Sequence, residues 1–153
     1  MDMSATTTIG RSPEEVFGYV AELGNDVNWR SGIVDSGWRC DGSVGPGSVG
    51  YSRASRFESV WRVTTYEPTA RVDWEFTEGP LKGRGGYRLE PVDGGTRFTL
   101  VADIKPFGVM RLLGPAFGWM IRRLNRNDVE TLRSILEGTA DSAASQSGAQ
   151  PAD

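Results

Sequence analysis

The sequence contains no histidine, and this absence excludes several kinds of chemistry. Without histidine there is no Ser-His-Asp or Cys-His catalytic machinery and no histidine-ligated zinc or iron. The single cysteine, Cys40, cannot form an internal disulfide or a thiolate metal site, and it suits a reducing compartment. Any general acid or base must therefore be an aspartate, glutamate, tyrosine, lysine, cysteine or positioned water, and we predict no metal or cofactor.

An excess of positive charge and long apolar runs are also missing. Lysine and arginine total 17 against 20 aspartates and glutamates, which gives a net charge of −3. This balance argues against nucleic acid as a partner, because phosphate binding needs a basic surface. No apolar run is long enough to cross a membrane, and the first residues, MDMSATTT, lack the layout of a secretory signal. We therefore expect a cytoplasmic protein without membrane insertion.

The length of 153 residues fits one domain. We expect this domain to span residues 1–138 and a disordered polar tail to occupy residues 139–153. A β-prone segment at 4–10 comes first. It is followed by Ser12 as a predicted N-cap, an amphipathic helix over 13–23 that begins with proline, and one further helical turn at 25–30.

From residue 33 to residue 104 the apolar positions recur with a period of two. Val72, Trp74 and Phe76 share one predicted face, while the polar residues between them share the other. Turn signals separate the runs, and Asp93-Gly94 is a typical hairpin turn. The pattern predicts about six antiparallel strands with one apolar face.

Residues 109–137 return to helical spacing and predict a long C-terminal helix. Gly114-Pro115 is expected to kink or restart this helix, and Gly138 to cap it. This helix is the only predicted element long enough to cover the apolar face of a curved sheet. An apolar hollow between helix and sheet is therefore the expected place for a small ligand.

The glycine-rich segment GSVGPGSVG at 42–50 raises the question of a phosphate-binding loop. It lacks the Gly-Lys-Ser/Thr ending of such loops and does not lead into a helix. We therefore predict a tight connection between two strands. A flexible rim over a cavity mouth is the lesser alternative.

The predicted ligand-binding residues lie on the apolar sheet face or on the apolar stripe of the long helix. They are Trp61, Val63, Trp74, Phe76, Tyr87, Leu89, Phe98, Leu100, Leu113, Phe117, Ile121 and Leu124. For most of them, simple membership of the core is the alternative.

Two polar residues are candidates for catalysis. A buried Tyr87 hydroxyl could orient or protonate a ligand carbonyl, or it could be an ordinary core tyrosine. Asp128 lies near the helix stripe. Inside the core it would have a raised pKa and could act as a base; at the edge of the stripe it would pair with Arg62 or another strand arginine.

Other polar and charged residues have weaker interpretations. Asp35 and Arg53 could also reach the interior, and Cys40 is expected to be a small buried apolar residue. The basic side of the long helix, with Arg122, Arg123 and Arg126 joined by Arg111, is either a solvated face or a docking surface. An acyl carrier protein or an anionic head group would fit it.

The whole pattern resembles the helix-grip fold of the START and birch-pollen-allergen-like superfamily, called SRPBCC, and its bacterial polyketide cyclase/dehydrase-type branch. The resemblance covers about residues 4–137. It is carried by SPEEVFGYVAEL at 12–23, Trp29, the glycine loop, VWRVTTYEPTARVDWEF at 60–76, GPLKGRGGYRLEP at 79–91, GGTRFTL at 94–100 and RNDVETLRSILE at 126–137. One departure is the segment between Gly50 and Trp61, which looks short for two strands and their hairpin.

The resemblance implies an α+β fold. A curved antiparallel sheet of about seven strands would wrap around the C-terminal helix, with one or two short helices after strand 1. It also leaves three functions open. The first is binding of a hydrophobic, aromatic or polyketide-like molecule for sequestration, transport or self-protection. The second is an aromatase, cyclase or dehydratase acting on a carrier-bound poly-β-keto chain. The third is a protein-interaction module that uses the basic helix face, and the chain could be a monomer or a dimer.

Overall fold

The structure is a computed structural model that describes residues 3–147, with side chains described as far as Gly138. Within this range the chain forms seven strands, three α-helices and two short 3₁₀ helices. In order they are β1 (Ala5–Ile9), α1 (Pro13–Ala21), a 3₁₀ helix (Leu23–Asn25), α2 (Asp26–Trp29), β2 (Ile33–Trp38), β3 (Val49–Ala54), β4 (Glu58–Glu67), β5 (Arg71–Glu78), β6 (Lys82–Val92), β7 (Gly95–Lys105), a second 3₁₀ helix (Gly108–Leu113) and α3 (Pro115–Ser147).

The strands form a single antiparallel sheet in the order β1-β7-β6-β5-β4-β3-β2. Chain order is kept from β2 to β7, and β1 closes the row by pairing with β7. Register shifts in β2 and β4 mark bulges, which increase the local twist and help the sheet curl. The predicted helix-grip fold is confirmed.

The short helices begin where the sequence predicts. Ser12 caps α1, because its Oγ accepts a hydrogen bond from the backbone N–H of Glu15 at 3.2 Å. Pro13 supplies the first residue, and Val16, Phe17 and Val20 form the buried face. The predicted extra turn at 25–30 is α2.

The segment between Gly50 and Trp61, which looked short in the sequence, is long enough for a hairpin. β3 begins before Gly50 and β4 continues beyond Trp61, so only residues 55–57 are needed for the turn. Gly50 pairs directly with Trp61 across the two strands.

The long helix restarts at Gly114-Pro115, as predicted. Gly114 has φ 53°, a left-handed conformation that favours glycine, and Pro115 is the first residue of α3. The predicted cap at Gly138 is wrong, because the helix continues to Ser147 through an alanine-containing segment without glycine or proline. The last part of the predicted disordered tail, residues 148–153, lies outside the described residues.

Hydrogen bonds tie α3 to β1 along its length. The Asn125 side chain donates to the Met3 carbonyl at 2.8 Å, and Thr7 Oγ1 donates to Glu130 at 2.8 Å. Further along, the Gly10 backbone N–H donates to Glu137 at 2.9 Å. The helix therefore lies over the β1 edge of the sheet.

The buried face of the C-terminal helical region differs from the predicted stripe. Leu113, at the end of the second 3₁₀ helix, and Leu124 are exposed, whereas Asn125, Asp128 and Val129 are buried. The spacing correctly marked Phe117 and Leu132, which are buried. Asn125 and Asp128 can be buried because they have hydrogen-bond partners in the interior, the Met3 carbonyl just before β1 and Ser31 just after α2.

Candidate ligand-binding hollow

A hollow lies between the inner face of strands β2 to β6 and the short helices α1 and α2. Its enclosed volume is about 100 Å³, and it reaches about 800 Å³ when the space open to solvent is counted. Among the described side chains, none from α3 lines it. The hollow therefore lies beside the long helix, and the expectation that α3 would form one of its walls is wrong.

The predicted ligand-binding residues fall into separate groups. Trp61, Trp74, Phe76 and Tyr87 line the hollow. The remaining sheet residues, Val63, Leu89, Phe98 and Leu100, are buried in the main core. The helix residues are elsewhere: Phe117 and Ile121 pack in a second cluster with Met3 and Ala102, and Leu113 and Leu124 face solvent.

The aromatic lining is a continuous chain of ring contacts. The Trp61 and Trp74 ring centroids are 5.5 Å apart, and those of Trp74 and Tyr87 are 4.9 Å apart. Two glycines make room for the indoles. A Cβ at Gly50 would lie 2.4 Å from the Trp61 ring, and one at Gly85 would lie 2.8 Å from Trp74 Nε1. Large flat surfaces therefore face the hollow from neighbouring strands.

The polar centre of the hollow is Asp26, which sequence reasoning missed. Asp26 is only 5% exposed, and its Oδ2 accepts a hydrogen bond from Ser36 Oγ at 3.0 Å. Burial raises the pKa of this carboxyl to about 6, although Arg30, Ser36 and Trp29 each act to lower it. Asp26, Trp29 and Arg30 are spaced i, i+3 and i+4, which places them on one side of the α2 turn.

Asp128 lies behind this centre and does not line the hollow. Its Oδ1 accepts hydrogen bonds from the backbone N–H and the hydroxyl of Ser31, at 3.1 and 2.5 Å. Its Oδ2 lies 3.4 Å from Arg30 Nε. The predicted partner, Arg62 or another strand arginine, is therefore wrong: the partner is Arg30 at the C-terminal end of α2.

Tyr87 is buried where its strand register predicts, on the inner face. Burial raises the pKa of its hydroxyl far above the usual range, Asp26 adds to this effect, and Arg30 partly opposes it. The phenol therefore stays protonated and can donate a hydrogen bond to a group in the hollow.

Within the described residues, a few buried polar side-chain atoms have no hydrogen-bond partner. They are Asp26 Oδ1, Trp29 Nε1, Arg30 Nε and Ser59 Oγ. Asp26, Arg30 and Ser59 line the hollow, and the indole N–H of Trp29 lies near Asp26. Arg30 Nε faces Asp128 Oδ2 in the ion pair described above. Buried polar atoms are normally paired, so Asp26 Oδ1 and Ser59 Oγ are free to form hydrogen bonds with a further polar group in the hollow.

Three other expectations need correction. Asp35 and Arg53 form an exposed ion pair at 3.4 Å instead of reaching the interior. Cys40 was expected to be buried, but it lies just after the end of β2 and is only half-buried. The glycine loop joins β2 to β3 as predicted, but residues 42–50 contribute none of the described side chains around the hollow, so the alternative of a cavity rim fails.

Comparison with protein families agrees with this architecture. The family model described as "Polyketide cyclase / dehydrase and lipid transport" matches residues 1–137. The chain belongs to this family. A comparison with curated proteins found no match.

Several solved structures share the fold. A protein of Bacillus halodurans, BH1534, is 18% identical with a TM-score of 0.69, over 89% of this chain and 96% of that one. The protein Ara h 8.0201 is 13% identical with a TM-score of 0.64, over 90% and 98%. The di-domain ARO/CYC protein StfQ of the steffimycin biosynthetic pathway is 17% identical with a TM-score of 0.64, over 90% of this chain and 45% of that one. At such identities the likeness establishes the fold alone. No helix in the described part of this family member is long and apolar enough to span a membrane.

Proposed function

We propose that the protein binds a small aromatic or polyketide-like molecule that carries a hydroxyl or carbonyl group, and that this molecule occupies the hollow. The observation that carries the proposal is the pair of buried oxygen atoms without a hydrogen bond, Asp26 Oδ1 and Ser59 Oγ, in a hollow lined by aromatic rings. A buried polar atom without a partner costs about 1–3 kcal/mol. A ligand that supplies those partners recovers this free energy and also buries its rings.

The dimensions of the hollow narrow the ligand class. Sites for drug-sized ligands measure about 300–1,000 Å³, which exceeds the enclosed volume of about 100 Å³. The enclosed part holds at most about one ring, because a cavity of roughly 150 Å³ is the size that binds benzene. A larger polycyclic molecule would extend into the part that is open to solvent. Sequestration, transport or self-protection would all use such a site.

Filling the hollow tests this proposal. Ala54 lines the hollow at the end of β3, and Ala54→Phe is expected to weaken binding of an apolar fluorescent dye at least about tenfold, because the added ring occupies ligand space. Ser134→Phe, at an exposed position on α3, is the matched control and should leave dye affinity unchanged. Equal dye affinity in both variants, with both folded by circular dichroism, would refute binding in the hollow.

A second candidate is catalysis on a poly-β-keto chain by an aromatase, cyclase or dehydratase. The pKa of Asp26 near 6 favours it, since such a carboxyl is mostly ionised at neutral pH yet basic enough to accept a proton next to a carbonyl. Tyr87 and Arg30 would donate hydrogen bonds to the oxygen that gains negative charge. Asp128 would then position Arg30 without itself touching the substrate.

Tyr87→Phe tests the catalytic candidate. It removes only the hydroxyl, so the fold and dye binding should persist while turnover falls by about 10²-fold, as for loss of one oxyanion donor. Product analysis with a carrier-bound poly-β-keto substrate is the measurement. An unchanged rate and product distribution would exclude Tyr87 from the mechanism.

A further inference from the structure

Exposed apolar side chains cluster in the second 3₁₀ helix and the start of α3. Val109 is 75% exposed, Leu112 is 88% exposed and Trp119 is 61% exposed. Val109 and Leu112 are three residues apart, and the three-residue turn of a 3₁₀ helix places them on the same side. Contiguous exposure of this kind in large apolar residues indicates an interaction surface.

Positive charge is concentrated in the same segment of the chain. Between Asp103 and Asp128 the sequence contains five cations and no acidic residue, although the whole chain has a net charge of −3. The cations are Lys105, Arg111, Arg122, Arg123 and Arg126. The Arg123 guanidinium lies over the Trp119 ring at 5.5 Å, so the apolar and basic features share one surface. We call Val109, Leu112 and Trp119, together with these cations, the basic apolar patch.

The patch adjoins one end of the hollow. The turn residues Phe57 and Leu81, and Ile104 near the end of β7, line the hollow at this end. Phe107, which leads into the 3₁₀ helix, has its ring centroid 6.1 Å from that of Phe57. Gly108, the first residue of the 3₁₀ helix, and Gly114, which follows its last residue, have φ values of 52° and 53° and allow the chain to turn sharply at both ends.

We propose that the basic apolar patch docks the protein on the surface of an anionic lipid membrane. Leucine, valine and tryptophan side chains would enter the boundary between head groups and acyl chains, and the cations would contact anionic head groups. Charge complementarity favours this occupant, because an uncharged apolar partner would leave Arg111, Arg123 and Arg126 without an acidic counterpart. Val109 and Leu112 also project into solvent from a short 3₁₀ helix, which would let them enter a lipid surface. Docking would place one end of the hollow near the lipid, and it does not depend on what the hollow binds.

Vesicle co-sedimentation tests the docking. The protein should bind vesicles of equal parts phosphatidylcholine and phosphatidylglycerol at low salt, bind pure phosphatidylcholine far more weakly, and dissociate at high salt. Leu112→Ser should lower the partition coefficient about tenfold. Arg111→Glu should lower it by at least about fivefold, the contribution of one cation near an anionic surface. Val34→Ser and Arg62→Glu, exposed positions on β2 and β4, are the matched controls and should bind like the unaltered protein.

Tryptophan emission gives an independent readout. All five tryptophans lie in the described range, and Trp119 alone among them is exposed. Anionic vesicles should shift emission to shorter wavelength, and Trp119→Phe should abolish that shift. Absence of vesicle binding at low salt, or equal binding by Leu112→Ser, would overturn the proposal. The proposal would also be overturned if the protein does not bind vesicles but forms a concentration-dependent dimer that the Leu112→Ser substitution dissociates. The basic apolar patch would then be a protein interface.

Discussion

Asp26→Asn is expected to gain stability relative to the unaltered protein as the pH rises from about 4 to about 7.5. Burial raises the pKa of Asp26 to about 6 in the folded protein, above its ordinary value of 3.8. Between these values the native state binds more protons than the unfolded state, so the stability contributed by the protonated carboxyl is present below pH 4 and lost above pH 6. A rise of about two pKa units corresponds to about 3 kcal/mol. Asparagine has no such titration.

Urea unfolding of both proteins across this pH range measures the effect. The difference in unfolding free energy between Asp26→Asn and the unaltered protein should change by about 3 kcal/mol in favour of the variant. Asp93→Asn, in the exposed hairpin turn between β6 and β7, is the matched control, because it makes the same substitution at an exposed position. If the two variants behave alike, Asp26 does not have the environment described here.

Asp128→Ala is expected to destabilise the protein by about 3 kcal/mol. Removing one partner from a buried ion pair typically costs 3–5 kcal/mol, and Arg30 is partly exposed, which reduces the penalty. The substitution also removes the acceptor for the Ser31 N–H and hydroxyl. Thermal and urea unfolding measure the loss.

A neighbouring carboxylate on α3 provides the control. Glu130 forms an exposed ion pair with Arg133 and accepts a hydrogen bond from Thr7. Exposed ion pairs contribute at most about 1 kcal/mol, so Glu130→Ala should cost much less than Asp128→Ala. Equal losses would mean that the contact between α2 and α3 does not depend on Asp128.

The sheet could be predicted from the sequence because its signal is local. The alternation in β4 to β6 correctly put Trp61, Trp74, Phe76 and Tyr87 on the inner face, where all of them line the hollow. Alternate residues of a strand point to opposite faces, so each apolar set has only two possible orientations. The polar residues between the apolar ones show which face is turned to solvent.

The wall opposite these rings could not be predicted in the same way. Helical spacing identified a buried face on α3, but not which strands that face covers, and it covers the β1 edge instead of the hollow. Asp26 and Arg30 were missed because a single helical turn has almost no periodic signal. The i, i+3, i+4 spacing of Asp26, Trp29 and Arg30 was the available clue. It indicates a site only once the α2 turn is known to face the inner side of strands β2 to β6.

The central claim is that an aromatic molecule enters the hollow, and an NMR titration with 2-naphthol tests it most directly. Tryptophan indole N–H signals are well separated from backbone amides, and the five tryptophans report on different places. The account predicts that the Trp61 and Trp74 signals shift and saturate together, while the signal of exposed Trp119 stays in place. If 2-naphthol moves only the Trp119 signal, or none of them, the hollow does not bind such molecules and the account is contradicted.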